Sequence, residues 1–386
     1  MTLSLKKQFH NTRNAFVEKC KPLQVEDYSV QPVDFVSPPK WHLAHTTWFF
    51  EQFVLVPHMP EYSCFDKDFA FLFNSYYEAV GERVMRANRG LMTRPSVAKV
   101  FEYRAHVDEH MLRFLDSDVV LEVQSIIALG LKHEQQHLEL FQYDIKYILG
   151  HQPTFPHLYQ DENLKDVSTS VEFLKIEQGL YDIGYNANGF CFDNELGYHK
   201  VWLEEFQIAN QLVSNKSYLK FIEAGGYNKS EYWHAEGWDF INEFNIKCPM
   251  YWHQIDGVWF QYTLKGLQKL NLNKPVIHIS FYEAWAYCEW SGQRLPTEFE
   301  WEVASFDFNW GEAWEWTNSA YLPYPNYKKE EGAIGEYNGK FMVNQMVLRG
   351  ASVATFEEHS RPSYRNFFHP QLRWMYSGIR PIKKHE

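Results

Sequence analysis

Cysteine is sparse and unpatterned: Cys20, Cys64, Cys191, Cys248 and Cys288 are scattered singly through 386 residues, with no Cys-x-x-Cys. Neither a disulfide framework nor a zinc ribbon is indicated, and reduced thiols in a cytoplasmic setting are expected. Positive charge is also short. Lysine and arginine total 37 against 49 acidic residues, a formal net charge of -12, which opposes attraction to nucleic-acid phosphates or anionic lipid. No apolar run approaches the uncharged length needed to cross a bilayer, and the opening ten residues lack the apolar core of a secretory signal. An intracellular protein is expected, with small-molecule partners, no nucleic acid and no membrane. There is no tandem repeat and no low-complexity run.

What is abundant is aromatic. Phe, Tyr and Trp make up 18% of the chain, enough to line pockets as well as fill cores. A chain of 386 residues exceeds one ordinary compact domain, so two are expected. Apolar residues recur at helical spacing over about Leu3–Cys20, Pro39–Val56, Pro95–Leu115 and Asp118–Leu149, which predicts an antiparallel four-helix bundle. The connection Pro57–Arg94 is long for a compact domain, and loops of that length usually carry function. Gly150–Ser170, polar and punctuated by Pro153 and Pro156, reads as a linker. Beyond it the segments are short, aromatic and broken by turn signals, and only one later helix stands out, about Ser280–Ser291. The expected fold class is α+β: a helical domain over residues 1–160 and an irregular, strand-bearing domain over 161–386.

The run His133-Glu134-Gln135-Gln136-His137 lies in the fourth helix and sets two imidazoles on one face, where they can grip one divalent ion. A catalytic site needs a third ligand and open positions. Trp41-His42-Leu43-Ala44-His45, on a neighbouring predicted helix, offers either His42 or His45. His106 and His110 form a competing pair four apart, as chance allows among 17 histidines. The same letters also spell the zinc-protease motif, with Glu134 as general base. No downstream ligand completes that pattern, since Glu139 follows His137 by two residues and cannot share its helical face.

Several strings together resemble one family. Trp41–Glu51, Asn74–Tyr77, Arg89–Ser96 and His133–His137 are similar to the DinB-like helical domain of the EgtB-type ergothioneine sulfoxide synthases. Pro275–Ala284, Arg294–Glu302, Trp314–Thr317 and Leu348–Ser352 resemble the formylglycine-generating-enzyme module, a C-type-lectin-like fold. True formylglycine-generating enzymes oxidise through a pair of C-terminal cysteines. No cysteine follows Leu348, so sulfatase maturation is not expected.

The resemblance implies that His45, His133 and His137 hold one non-haem Fe(II), leaving room for a substrate thiolate, the imidazole of hercynine, and dioxygen as co-substrate. Three neutral histidines would leave the ion doubly positive, which favours a thiolate ligand. The second domain would complete the substrate pocket. Gln136 matches the family's hercynine-binding glutamine, and Asn366 and Phe367 fall where the family's asparagine and its aromatic neighbour reach the substrate. An aromatic pocket suits the quaternary ammonium through cation–π attraction, worth roughly 0.5 to 2 kcal/mol. The sulfur donor's carboxylate needs a guanidinium, and Arg83, Arg86 and Arg89 recur three apart in the long loop; Arg86 is favoured, then Arg89, against the bland reading of a solvated basic strip. Tyr76 and Tyr77 match a tyrosine pair that supplies a proton in some members.

One departure bears on the donor. Where members that take γ-glutamylcysteine carry an acidic residue and an arginine, Phe368 and Leu372 align. Free cysteine is therefore the expected donor. A selenoneine-forming relative would differ only in this pocket. Ovothiol-type synthases, which use histidine, usually add a methyltransferase domain, and this chain ends soon after Arg380. From other classes, a zinc peptidase and a non-catalytic binding module complete the alternatives.

Overall fold

The computed structural model describes residues 4–75, 81–159, 164–168, 170–329 and 338–384. After Tyr159 the chain divides into two compact units, each with its own core. Tyr76 and Tyr77 lie outside the described residues.

The first unit is helical: α1 Leu5–Cys20, α2 Pro39–Phe50, α3 Val56–His58, α4 Phe69–Leu72, α5 Val97–Phe114 and α6 Leu121–Gly150. The four long helices fall within a few residues of the expected segments, except that α2 stops short of Val56. There the backbone loosens into a π segment, Glu51–Leu55, before α3 resumes. Ser4 and Ser96 cap α1 and α5 by accepting the N–H of Lys7 and Lys99. Pro39 opens α2 at the first helical position, where a missing N–H is harmless.

Every residue of α2 is buried, which makes it the bundle's central rod, packed against α5 and α6. Gly130 lets α6 come close: a Cβ there would meet the Phe49 ring at 2.7 Å and the Phe50 ring at 2.8 Å. The core behind it is aromatic, with Phe9, Phe16, Trp41, Trp48, Tyr103 and Phe141 all at or below 1% exposure. No described helix is long and apolar enough to cross a membrane.

The second unit holds strands β1 Phe173–Ile176, β2 Gly179–Ile183, β3 His199–Leu203, β4 Phe206–Ala209, β5 Trp252–Ile255, β6 Val258–Thr263, β7 Gly266–Lys269, β8 Gln293–Arg294, β9 Trp314–Ala320, β10 Met346–Gly350, β11 Asn366–Phe368, β12 Ser377–Gly378 and β13 Ile382–Lys383. They form sheets ordered β1-β4-β13-β8 and β11-β10-β9-β12, a hairpin β2-β3 and a meander β5-β6-β7. Among the described residues four α-helices accompany them, α7 Asn215–Glu223, α8 Ala235–Glu243, α9 Phe281–Trp290 and α10 Glu298–Ala304. Only α9 was expected. The other three have nine residues or fewer, a length at which helical periodicity is not separable from that of a buried strand.

The motif strings of this unit supply Glu283, Glu298, Glu315 and Arg349 to buried ion pairs. Glu298 accepts from Arg365 at 2.8 and 2.9 Å and from Arg349 at 2.9 Å. Glu315 is held by Arg380 and by the Trp301 indole. Arg373 joins Glu283. Removing one partner of such a pair strands a buried charge at a cost of about 3–5 kcal/mol, so these letters specify the fold.

Candidate metal centre

His45 comes from the middle of α2, and His133 and His137 from one face of α6. One ring nitrogen from each lies within 4.8 Å of the other two, the sole such cluster of metal-binding groups among the described residues. His45 Nε2 and His133 Nε2 stand 3.1 Å apart. Two nitrogens each about 2.1 Å from a shared ion at right angles would be about 3.0 Å apart, so the spacing suits a common divalent cation.

The protonation states suit it too. His45 and His137 are held well below the ordinary histidine pKa, first by burial and then by the neighbouring His133. Burial lowers His133 to about 3, with Glu134 opposing the shift in part. All three are neutral at pH 7, as ligands must be. The tautomer of His45 follows from its second nitrogen: Nδ1–H donates to the Phe73 carbonyl at 2.6 Å, which leaves the Nε2 lone pair facing His133. The Trp41 and Trp48 rings stack on the His45 imidazole, with centroids at 4.4 and 5.6 Å. The residues therefore fit a three-histidine metal site.

His42, the other candidate for the third position, stands one step behind. Its Nδ1 lies 3.0 Å from His137 Nδ1 and its Nε2 2.9 Å from Asp144 Oδ2. Sequence reasoning missed Asp144, although it follows His137 by seven residues, two turns along the same helix face. The rings of the competing pair His106 and His110 lie 4.3 Å apart and tilted by 42°, half-buried, with no third ligand beside them among the described residues.

Glu134 is fully buried and both its oxygens are engaged. Arg104 Nη2 donates to Oε1 at 2.5 Å and Arg13 Nη1 to Oε2 at 2.9 Å. Burial would raise its pKa, but the two guanidiniums outweigh it and hold the carboxyl below its usual range. Arg13 further donates to Asp108 and Thr47, so this cluster ties α1, α2, α5 and α6 together. A carboxylate so occupied is a structural anchor and is not available as the base of a peptidase.

Of the loop arginines, Arg89 is buried, its guanidinium 3.3 Å from the Trp41 ring centroid and donating to Ser37 Oγ and Ser75 Oγ at 2.9 Å each. Arg83 donates to the Ser75 carbonyl at 2.7 Å. Arg86 is exposed and donates to the Phe35 carbonyl. Gln136 is half-buried on α6. In the second unit Asn366 and Phe367 lie on β11, half-buried, with Phe367 stacked on Tyr321 at 4.0 Å.

Residues 8–141 match the DinB superfamily and residues 160–309 match the sulfatase-modifying factor enzyme 1-like domain. The chain is 30% identical over 254 residues to a hercynine oxygenase of Mycolicibacterium smegmatis, covering 52% of this chain and 59% of the relative. With a hercynine oxygenase of Mycobacterium tuberculosis it shares 29% identity over 236 residues, 49% of this chain and 55% of the relative. A formylglycine-generating enzyme of Thermomonospora curvata is 29% identical over 136 residues, 32% of this chain and 44% of that protein. The chain thus spans little more than half the length of the hercynine oxygenases it matches. In its two halves it joins a DinB-superfamily helical domain to a sulfatase-modifying factor enzyme 1-like domain with sheets, an α+β protein similar to the hercynine oxygenases.

Proposed function

We propose that this protein is an iron- and oxygen-dependent sulfoxide synthase that joins cysteine to the imidazole of hercynine, working in the cytoplasm. The observation that carries the reading is the triad: three neutral imidazoles from α2 and α6 with nitrogens within 4.8 Å, in a chain similar to hercynine oxygenases. The reaction balances as hercynine plus cysteine plus O2 giving the sulfoxide plus water. An imidazole C–H and a thiol S–H are lost, a C–S bond forms, and O2 takes four electrons, one oxygen going to sulfur and one to water.

His45, His133 and His137 would hold Fe(II), which when bound supplies the oxygen activation and the thiolate affinity. Their neutrality leaves the full charge of the ion to attract a thiolate. Trp41 and Trp48 keep the His45 ring fixed and water away from it. Arg89, buried and held by two serines beside Trp41, supports a carboxylate subsite next to the triad better than Arg86 or Arg83, each of which donates to a backbone carbonyl. Gln136 is proposed to hydrogen-bond hercynine. Asn366 and Phe367 as substrate contacts, and Tyr76 or Tyr77 as proton donor, stand on sequence similarity. Phe368 packs on Trp374 and carries no charge, and neither does Leu372, so a γ-glutamyl headgroup would find no ionic partner at either position.

The test is anaerobic reconstitution with Fe(II), then oxygen with hercynine and, in parallel, cysteine, γ-glutamylcysteine or a selenium donor. The expected result is a product with the mass of hercynylcysteine sulfoxide from the cysteine arm. Product from γ-glutamylcysteine alone would overturn the donor assignment. No product in any arm, from protein that retains iron, would overturn the function.

A further inference from the structure

The arrangement behind His137 is a line of hydrogen bonds with a direction. Asp144 Oδ2 accepts the Ser37 backbone N–H at 2.8 Å and faces His42 Nε2 at 2.9 Å. His42 Nδ1 faces His137 Nδ1 at 3.0 Å. Arg89 pins Ser37 from its other side. His42 is 2% exposed and Asp144 0%, so no solvent competes for these groups.

Only one proton arrangement satisfies the line with neutral rings. A carboxylate oxygen accepts, so the single N–H of His42 is on Nε2 and its Nδ1 presents a lone pair. His137 Nδ1 must then carry the N–H that this lone pair accepts. The proton of His137 is thereby drawn away from the triad, and its Nε2 lone pair is left bare. The opposite tautomer would set two lone pairs against each other at 3.0 Å inside the bundle and place the N–H on Nε2, leaving that nitrogen unable to bind a metal.

We infer that Asp144 and His42 are positioning residues, a two-member relay that locks His137 in its metal-binding tautomer. The inference rests on the triad being a metal site, and it assigns His42 to tautomer control, where spacing alone made it a ligand candidate. Partners of this kind behind a metal-binding histidine are worth typically 10–100-fold in metal affinity.

Two measurements test it without recourse to turnover. In metal-free protein, long-range proton–nitrogen spectra of 15N-histidine-labelled material report which ring nitrogen carries hydrogen, and the expected pattern is Nε2–H for His42 and Nδ1–H for His137. Co(II) titration followed by visible absorption then reads affinity for the full chain. His42→Phe keeps a ring but offers no acceptor, and should weaken Co(II) binding by about 10–100-fold and mix the tautomers of His137. Asp144→Asn, whose amide oxygen can take the place of Oδ2, should leave both close to the wild type, whereas Asp144→Leu should shift both in the direction of His42→Phe. An Nε2–H on His137 in the metal-free wild type, or His42→Phe binding Co(II) as tightly as wild type, overturns the relay. If His42→Phe does not fold, the wild-type spectra and the Asp144 pair decide. A protein with the expected tautomers and Co(II) affinity that makes no sulfoxide would sink the proposed function and leave the relay standing.

Discussion

Replacing Glu134 with Gln separates the two readings of the His-Glu-x-x-His letters. In the folded protein the cluster around Glu134 contains two guanidiniums, Arg13 and Arg104, and two carboxylates, Glu134 and Asp108. The substitution keeps the shape, leaves the cluster with a net positive charge, and turns an amide N–H₂ towards one of the arginines. Removing one partner from a buried pair costs about 3–5 kcal/mol, a large share of the 5–15 kcal/mol that holds a typical protein folded. For a unit of this size each kcal/mol is worth about 2–4 °C, so a fall of roughly 6–20 °C in Tm is expected. The assay is thermal unfolding of the metal-free protein by far-ultraviolet circular dichroism, paired with sulfoxide formation at low temperature where the variant is still folded. If Glu134 is an anchor, stability drops steeply while turnover per folded, iron-loaded molecule survives. A variant with unchanged Tm and abolished activity would refute this and restore the carboxylate to a catalytic role.

Three further outcomes are expected. His133→Ala should lose bound iron and turnover together, read by metal analysis and product mass; retention of iron would remove this residue from the ligand set. Metal-free protein should be acid-labile from about pH 6.5 downward. The folded pKa of His133 lies near 3, below the ordinary value, so the stability that its neutrality requires is complete above the unfolded value and lost as pH falls through the window between them. By pH 5 that amounts to about 2 kcal/mol from this residue, measurable as a lower urea midpoint than at pH 7.5; equal midpoints would contradict it. Gly130→Ala should destabilise by about 1–3 kcal/mol of overpacking against Phe49 and Phe50, more than the helix-propensity gain of about 0.5–1 kcal/mol, and a raised Tm would show that the rings have room to yield.

Local signals in the chain reached some of this and not the rest, for a physical reason. The long helices of the bundle and the one-face spacing of His133 and His137 are properties of a few consecutive turns, and both were legible. Whether His42 or His45 joins His133 and His137 was not, because residues three apart share a helix face and only the packing of α2 on α6 separates them. Short α7, α8 and α10 escaped for want of length. Glu134 is the sharpest case. Its neighbours in sequence suggested a protease base, while its meaning came from Arg13, 121 residues away, and Arg104, 30 away. One residue on from His133, a side chain points roughly a quarter turn around the helix, towards α1 and α5 and the core. The motif letters are therefore compatible with two opposite uses of one carboxylate. Which use is made depends on whether the facing helices bring cations to it, and here both do.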